Sequence, residues 1–204
     1  MKEWETGEAY RFLKANPVMH GVISVTGELK PLPRKDLYLS LLSSIVSQQL
    51  STKAASTIWL RFMEIFCNNP TPAAVINTSI EKLRQAGISY QKAGYLAAVA
   101  DFSLSGKLKD GLVEKMPDHE LTEYLTQIKG VGRWTSEMIL IFSLNRPDVF
   151  PVDDLGVRQS VLALYGMEDL GKSTSQELHN LSSEWRPYRS LVSRHLWRLR
   201  DTNS

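Results

Sequence analysis

Two glycines flank one apolar residue in the segment 128–134, and this arrangement can bind an anion through the backbone. Gly130 and Gly132 stand on either side of Val131, between two runs whose apolar residues recur at helical spacing. Glycine tolerates positive φ and leaves its N–H groups unshielded, and the N-terminus of the following helix favours negative charge. The segment predicts either a phosphate-binding hairpin anchored in the core by Val131 or a simple glycine-closed turn between two helices.

Two adjacent carboxylates, Asp153 and Asp154, precede another run with helical spacing, which ends near Tyr165. Aspartate before such a run is a typical helix N-cap, and we assign that role to Asp153. The four histidines show no metal-ligand spacing. The single cysteine, Cys67, excludes an intrachain disulfide and any site built from cysteines alone.

The segment 166–173 fits the Gly-x-x-x-x-Gly-Lys-Ser pattern of a nucleotide-binding loop. That pattern requires a preceding strand and a following helix on a parallel sheet. Because residues 157–165 have helical spacing, we interpret the match as a connection between helices, with Ser173 as a cap.

The rest of the 204-residue chain also has helical periodicity, and the fold class we predict is all-α with nine or ten helices. Only residues 18–25 suggest a strand. The 24 basic and 22 acidic residues give a net charge of +2, so bulk charge does not indicate a nucleic-acid partner.

The order and spacing of these motifs resemble the helix-hairpin-helix–GPD superfamily of DNA base-excision glycosylases. In that family an Ile-x-Gly-Val-Gly hairpin and a helix precede a Val-Asp loop that carries the catalytic aspartate. Further stretches resemble the 3-methyladenine DNA glycosylase II branch, and together they cover roughly residues 36 to 200; they are 45–51, 87–93, 132–135, 185–190 and 195–197.

The resemblance implies one glycosylase domain over residues 1–204, made of two helical subdomains with a DNA-binding cleft between them. One subdomain is a six-helix unit over 34–144. The other joins residues 1–33 to residues 145–204, which supply the N- and C-terminal helices.

By position, Asp154 matches the catalytic aspartate, which stabilises the oxocarbenium-like sugar and activates water. Trp134 stands where bifunctional relatives have a lysine nucleophile, so no lyase activity is expected. Asp153 remains the competing carboxylate. The resemblance also implies a pocket that stacks on the flipped base. Its expected residues are Trp134, Trp197, Met138 and Leu155, the last two in positions where relatives have tyrosines, although either tryptophan could instead be core.

The resemblance further places DNA contacts on two loops and on the hairpin. Gln49, or else Leu50, would be the wedge that fills the gap left by the extruded nucleotide, unless this is only a polar turn. The expected DNA contacts are Gln48, Gln49, Leu50, Tyr90, Lys92, Lys129, Gly130, Val131, Gly132 and Arg133. Five arginines and three aromatic residues within 185–200 suit either DNA contact or a solvated basic face.

No cofactor is required for this chemistry, and no iron–sulfur cluster is expected with one cysteine. A structural Na⁺ or K⁺ at the hairpin would be held by the backbone carbonyls of Thr126, Ile128 and Gly130. The expected partner is double-stranded DNA with damaged bases, the expected state is a monomer without membrane contact, and the expected location is the cytoplasm and nucleoid of a bacterium or a eukaryotic nucleus.

The function implied is a monofunctional DNA glycosylase that flips out alkylated purines, 3-methyladenine and 7-methylguanine, and hydrolyses the N-glycosidic bond in base excision repair. Two alternatives remain open. One is a non-catalytic helix-hairpin-helix module that binds distorted DNA. The other is a glycosylase for another lesion, such as hypoxanthine or ethenoadenine.

Overall fold

A computed structural model describes residues 6–202, and all regular secondary structure within that range is helical. The all-α prediction is confirmed, but the described residues form thirteen α-helices rather than nine or ten. In order they are α1 Thr6–Leu13, α2 Pro17–Thr26, α3 Leu37–Ser47, α4 Thr52–Ile65, α5 Pro72–Ile76, α6 Ile80–Gln85, α7 Tyr90–Leu104, α8 Asp110–Val113, α9 Asp118–Thr126, α10 Arg133–Phe142, α11 Leu155–Tyr165, α12 Lys172–Ser182 and α13 Arg189–Thr202, with a 3₁₀ turn at Ser183–Trp185.

The strand suggested over residues 18–25 is wrong, because this segment lies inside α2. The Asn16 side chain accepts a hydrogen bond from the Met19 N–H at 3.1 Å, and Pro17 follows at the first helical position. This start signal, with Met19, Val22 and Ile23 buried on one face, overrides the strand preference of the β-branched residues.

Backbone contacts divide the chain into two compact units. The central unit is residues 34–139, and the terminal unit is residues 1–33 with 140–204, of which 1–5 and 203–204 lie outside the described residues. The boundary falls inside α10. None of the helices described between residues 6 and 202 is long and apolar enough to cross a membrane.

In the central unit, α7 packs against α3 and α5, and α3 also packs against α4. The Asp36 carboxylate caps α3 by accepting from the Leu39 N–H at 2.7 Å, and Ser89 caps α7 by accepting from the Lys92 N–H at 3.2 Å. These caps fix where the two helices begin, and therefore which residues stand in the connections beside them.

In the terminal unit, α13 packs against α2 and α11. Its His195 is fully buried, with Nε2 3.0 Å from the Tyr10 hydroxyl and Nδ1 2.7 Å from the Thr26 hydroxyl. This polar contact joins α1 and α2 to α13 inside an apolar cluster that includes Trp185.

Candidate functional site

Asp154 is held in one orientation at the start of α11 in the terminal unit. Its Oδ1 accepts a hydrogen bond from the Val157 N–H at 2.9 Å and a second from the Trp197 indole N–H at 2.8 Å. The residue is buried, with 9% of its surface exposed. Two donors from separate helices therefore orient a carboxylate that is removed from bulk water.

The assignment of Asp153 as the N-cap of α11 is wrong, because Asp154 is the cap. Asp154 has extended backbone dihedrals and accepts from the Val157 N–H, whereas Asp153 is exposed in the preceding turn. Asp154 therefore has both roles that we had assigned to separate residues: it is the N-cap of α11, and its carboxylate is held in a fixed orientation.

Trp197 reaches Asp154 across a close approach between α11 and α13. A Cβ at Gly156 would lie 3.1 Å from Trp197 Cδ1 and 2.3 Å from Arg200 Nη1. The Trp197 ring is half-buried and lies 5.3 Å from the Phe142 ring, centroid to centroid. Gly156 thus leaves room for the indole beside the carboxylate, a requirement that the sequence did not reveal.

The other predicted pocket residues differ in exposure. Trp134, near the start of α10, exposes 49% of its surface and is therefore not a core tryptophan. Met138, one turn later, is half-buried. In the terminal unit, Leu155 exposes 65% of its surface in the first turn of α11.

The glycine hairpin forms the turn between α9 and α10. Gly130 has φ +93°, and a Cβ there would lie 2.3 Å from Cγ of Tyr95. Both the backbone conformation and the overlap with the tyrosine ring therefore exclude a side chain at this position. Val131 is buried, as predicted for the anchor. Tyr95 escaped the sequence reasoning, although its position three residues after Lys92 places both on one face of α7.

Three segments distant in sequence line one cavity of about 460 Å³ in the central unit. We call it the hairpin cavity. It brings together nine of the predicted DNA- or cation-contacting residues with Ser89, Gln91 and Tyr95; the nine are Gln48, Gln49, Lys92, Thr126, Ile128, Lys129, Gly130, Val131 and Gly132. Residues from both predicted loops and from the hairpin therefore line one cavity, whereas the predicted contacts Leu50, Tyr90 and Arg133 do not line it.

The predicted DNA contacts on the two loops have different environments. The Lys92 ammonium donates to the carbonyls of Val46 and Gln48, both at 2.7 Å. The Gln48 side-chain amide donates to the Gly130 carbonyl at 2.9 Å. Gln49 is exposed, and Leu50 exposes 37% of its surface.

The charged and aromatic residues at the edges are more exposed. Lys129 is exposed, and Arg133 donates from Nε to the buried Glu137 carboxylate at 3.1 Å while 66% of its own side chain stays exposed. Tyr90 exposes 68% of its surface, with the Arg84 guanidinium 4.7 Å from its ring centre. These side chains are all accessible to a ligand.

A family model described as HhH-GPD superfamily base excision DNA repair protein matches residues 42–187. The chain belongs to the HhH-GPD superfamily. It is 36% identical to DNA-3-methyladenine glycosylase 1 of Schizosaccharomyces pombe, over 87% of this chain and 79% of that protein. It is 33% identical to the alkylbase DNA glycosidase-like protein mag2 of the same yeast, over 84% of this chain and 81% of that protein.

Solved structures agree with this HhH-GPD membership. The S. pombe 3-methyladenine DNA glycosylase in complex with abasic DNA superposes with a TM-score of 0.82 at 34% identity, over 94% of this chain and 95% of that one. A DNA-3-methyladenine glycosidase from Bacillus halodurans gives a TM-score of 0.83 at 34% identity, over 93% and 88% of the two chains.

Three arginines of the C-terminal basic stretch of this HhH-GPD chain have hydrogen-bond partners within the terminal unit. Arg189 donates to the Asp148 carboxylate at 2.6 Å and 3.0 Å, and Arg186 donates to it at 2.9 Å. Arg194 donates to the Lys30 carbonyl at 2.8 Å. Three of the five arginines therefore stabilise the terminal unit, and Trp185 and Tyr188 are buried in it.

The nucleotide-binding pattern at 166–173 connects α11 to α12, as we interpreted it, but Ser173 is not the cap: it lies inside α12, whose N-cap is Gly171. The Asp169 carboxylate accepts from the Gly171 N–H at 2.9 Å, and Arg158 donates to Asp169 and to the Gly171 carbonyl. An internal carboxylate therefore occupies the backbone position where a nucleotide phosphate would bind in such a loop.

Proposed function

We propose that this HhH-GPD protein removes 3-methyladenine and 7-methylguanine from double-stranded DNA as a monofunctional glycosylase. The observation that carries the proposal is the fixed, buried Asp154 carboxylate at the position of the family's catalytic aspartate. The names of the S. pombe and B. halodurans relatives support the choice of an alkylated purine as substrate.

Asp154 would act on the sugar rather than on the base. Cleavage of an N-glycosidic bond builds positive charge on the deoxyribose, and a carboxylate held in place stabilises that charge without reorganising. A purine alkylated at N3 or N7 is already cationic and leaves without an added proton, so one carboxylate suffices where sugar glycosidases use two. The same carboxylate would orient or deprotonate the attacking water.

Trp134 supports both the substrate class and the absence of a covalent step. Its indole has no amine that could form a Schiff base with the sugar, so no lyase step is expected. Its ring is exposed and electron-rich, and it can stack on a cationic base that has left the duplex. Met138, one turn along α10 in the same unit, would line the pocket with Trp134.

The hairpin cavity would bind the DNA backbone. The N-terminal end of α10 and the exposed Lys129 and Arg133 suit a phosphate, and Gln49 or Leu50 would enter the gap left by the extruded nucleotide. We further propose that the protein acts as a monomer and is located where the genomic DNA is.

A monovalent cation fits the carbonyls of Thr126, Ile128 and Gly130. The Ile128 carbonyl accepts from the Val131 N–H, and the Gly130 carbonyl accepts from Gln48, both at 2.9 Å. Each carbonyl oxygen keeps a second lone pair, and three neutral oxygens suit Na⁺ or K⁺ better than a divalent ion. A bound cation would supply positive charge near a phosphate.

The test is base release from DNA methylated to contain both 3-methyladenine and 7-methylguanine, with the two bases separated by chromatography. Asp154→Asn should abolish release and still bind DNA, because asparagine can also cap α11. The matched control is Asp153→Asn, which changes an exposed neighbour and should retain wild-type release.

Turnover by Asp154→Asn at the wild-type rate would refute the assigned carboxylate. Borohydride trapping should give no protein–DNA adduct, and a trapped adduct would reveal a lyase. If the wild-type protein releases no base from methylated, deaminated or etheno-modified DNA, the non-catalytic DNA-binding alternative is correct.

A further inference from the structure

The turn between α3 and α4 holds a residue in an unfavourable backbone conformation. Gln49 has φ +57°, in the left-handed region that residues with a Cβ rarely adopt. Its side chain is nevertheless exposed. Such a conformation persists only where the surrounding structure determines it, so the contacts on both sides of Gln49 require explanation.

Lys92 fixes the backbone on the N-terminal side of Gln49. Its ammonium, carried by the first turn of α7, donates to the carbonyls of Val46 and Gln48 at 2.7 Å each. These carbonyls lie at the C-terminal end of α3, where the helix dipole favours a positive charge. The Gln48 carbonyl belongs to the peptide bond that leads directly into Gln49.

Gln48 connects the same turn to the hairpin. Its side-chain amide donates to the Gly130 carbonyl at 2.9 Å. Gly130 is itself placed against the Tyr95 ring of α7. On the other side of the turn, the Ser51 hydroxyl caps α4 by accepting from the Ala54 N–H at 3.4 Å. The backbone is therefore fixed before and after Gln49, while the Gln49 side chain stays exposed.

We propose that Lys92 and Gln48 are positioning residues that hold the turn so that the Gln49 side chain can enter the duplex. The inference rests on the proposed function, and it selects Gln49 rather than Leu50 as the wedge. It also changes the role expected for Lys92, from a phosphate contact to an internal clamp.

The surroundings of Lys92 differ from those expected of a phosphate contact. Two of its three N–H donors are used by backbone carbonyls, and desolvation by burial lowers the pKa of its ammonium. Lys129, in the same cavity, is exposed. Loss of a phosphate contact reduces the salt dependence of DNA binding by about one unit of slope, whereas loss of an internal clamp should not.

The test compares Lys92→Met, Gln48→Leu and Gln49→Ala in the full chain, with the exposed Lys115→Met as the matched control. The first readout does not require catalysis. It is the fluorescence of 2-aminopurine placed beside a tetrahydrofuran abasic analogue in a duplex saturated with protein. The second is the single-turnover rate of base release from methylated DNA, and the third is the salt slope of binding.

We expect Lys92→Met and Gln48→Leu to reduce the fluorescence change at least threefold and the release rate at least tenfold, with an unchanged salt slope. Lys92→Arg should recover part of both losses, because guanidinium can donate to the same carbonyls. In the Gln49→Ala background, Lys92→Met should slow release by less than threefold, since the side chain that it positions is already absent.

A full fluorescence change in both Lys92→Met and Gln48→Leu would overturn the inference. A salt slope reduced by one unit in Lys92→Met, as expected for Lys129→Met, would also overturn it, as would an undiminished effect in the Gln49→Ala background. If Lys92→Met does not fold, Gln48→Leu decides alone. Failure of the wild-type protein to release any base would instead count against the proposed function, because the fluorescence readout remains interpretable.

Discussion

Replacing Trp197 by phenylalanine should distinguish the contribution of the indole N–H from that of the aromatic ring. In the structure this N–H donates to Asp154 Oδ1 at 2.8 Å, while the ring contacts Phe142. Phenylalanine keeps an aromatic ring beside Phe142 but removes the donor. Asp154 would keep its bond from the Val157 N–H, so α11 should remain capped.

The expected size of the effect follows from the charge on the acceptor. A hydrogen bond to an ionised group contributes roughly 1.5–3 kcal/mol. If the bond orients Asp154 toward the sugar in the transition state, its loss should slow single-turnover base release by about 10- to 150-fold. DNA affinity should change by less than about threefold, because the bond lies inside the protein rather than on the DNA.

The assay is single-turnover release of methylated purine at saturating protein, with affinity measured on a duplex that contains an abasic analogue. Phe142→Leu is the control, because it disturbs the ring contact and leaves the N–H in place. Equal slowing by both variants would show that ring packing, not the hydrogen bond, is responsible. A Trp197→Phe rate within threefold of wild type would refute the positioning role altogether.

Three further predictions concern stability. Gly130→Ala should lower the free energy of unfolding by at least about 2 kcal/mol in urea, because φ is +93° and a Cβ would overlap a tyrosine ring, whereas Gly94→Ala, with open space around it, should not destabilise. Arg189→Met should lower the free energy of unfolding by roughly 2–3 kcal/mol, because Asp148 loses its closest guanidinium. The salt slope of DNA binding should not change, and a reduced slope would mean that Arg189 contacts DNA. Burial lowers the pKa of His195 from 6.5 to about 4, so between these pH values the unfolded chain binds a proton that the folded protein does not. The free energy of unfolding should therefore fall by roughly 2 kcal/mol from pH 7.5 to pH 5. His195→Gln should remove this pH dependence, and an unchanged dependence would refute the prediction.

The helical fold and the main functional segments could be predicted because they depend on local signals. Glycines at 130 and 132, with apolar spacing on both sides, specify a turn between helices, and the structure places that turn between α9 and α10. The choice between Asp153 and Asp154 as the cap could not be made from type or spacing, because both precede the same apolar run. It depends on backbone dihedrals at one residue.

The roles of charged residues were harder to predict, because they depend on partners distant in sequence. Arg186 and Arg189 were considered for DNA contact because no acid lies within residues 185–200, yet Asp148, about forty residues earlier, binds both. Lys92 likewise donates to carbonyls 44 and 46 residues away. A charge pattern in sequence shows how much charge is present, but folding decides which charges are neutralised internally.

The N-termini of three helices differ in whether a carboxylate of the protein itself lies beside them. At α11 the site is filled by its own cap, Asp154, so the helix dipole helps to fix a carboxylate instead of attracting an external anion. At α12 the carboxylate of Asp169 takes that place. Helix α10, all of whose residues are described, has no acidic residue in its first turn, and it follows the glycine hairpin between the exposed Lys129 and Arg133. Of these three helix starts, α10 is the one preceded by a glycine hairpin with an exposed lysine beside it, and we expect an external phosphate to bind there.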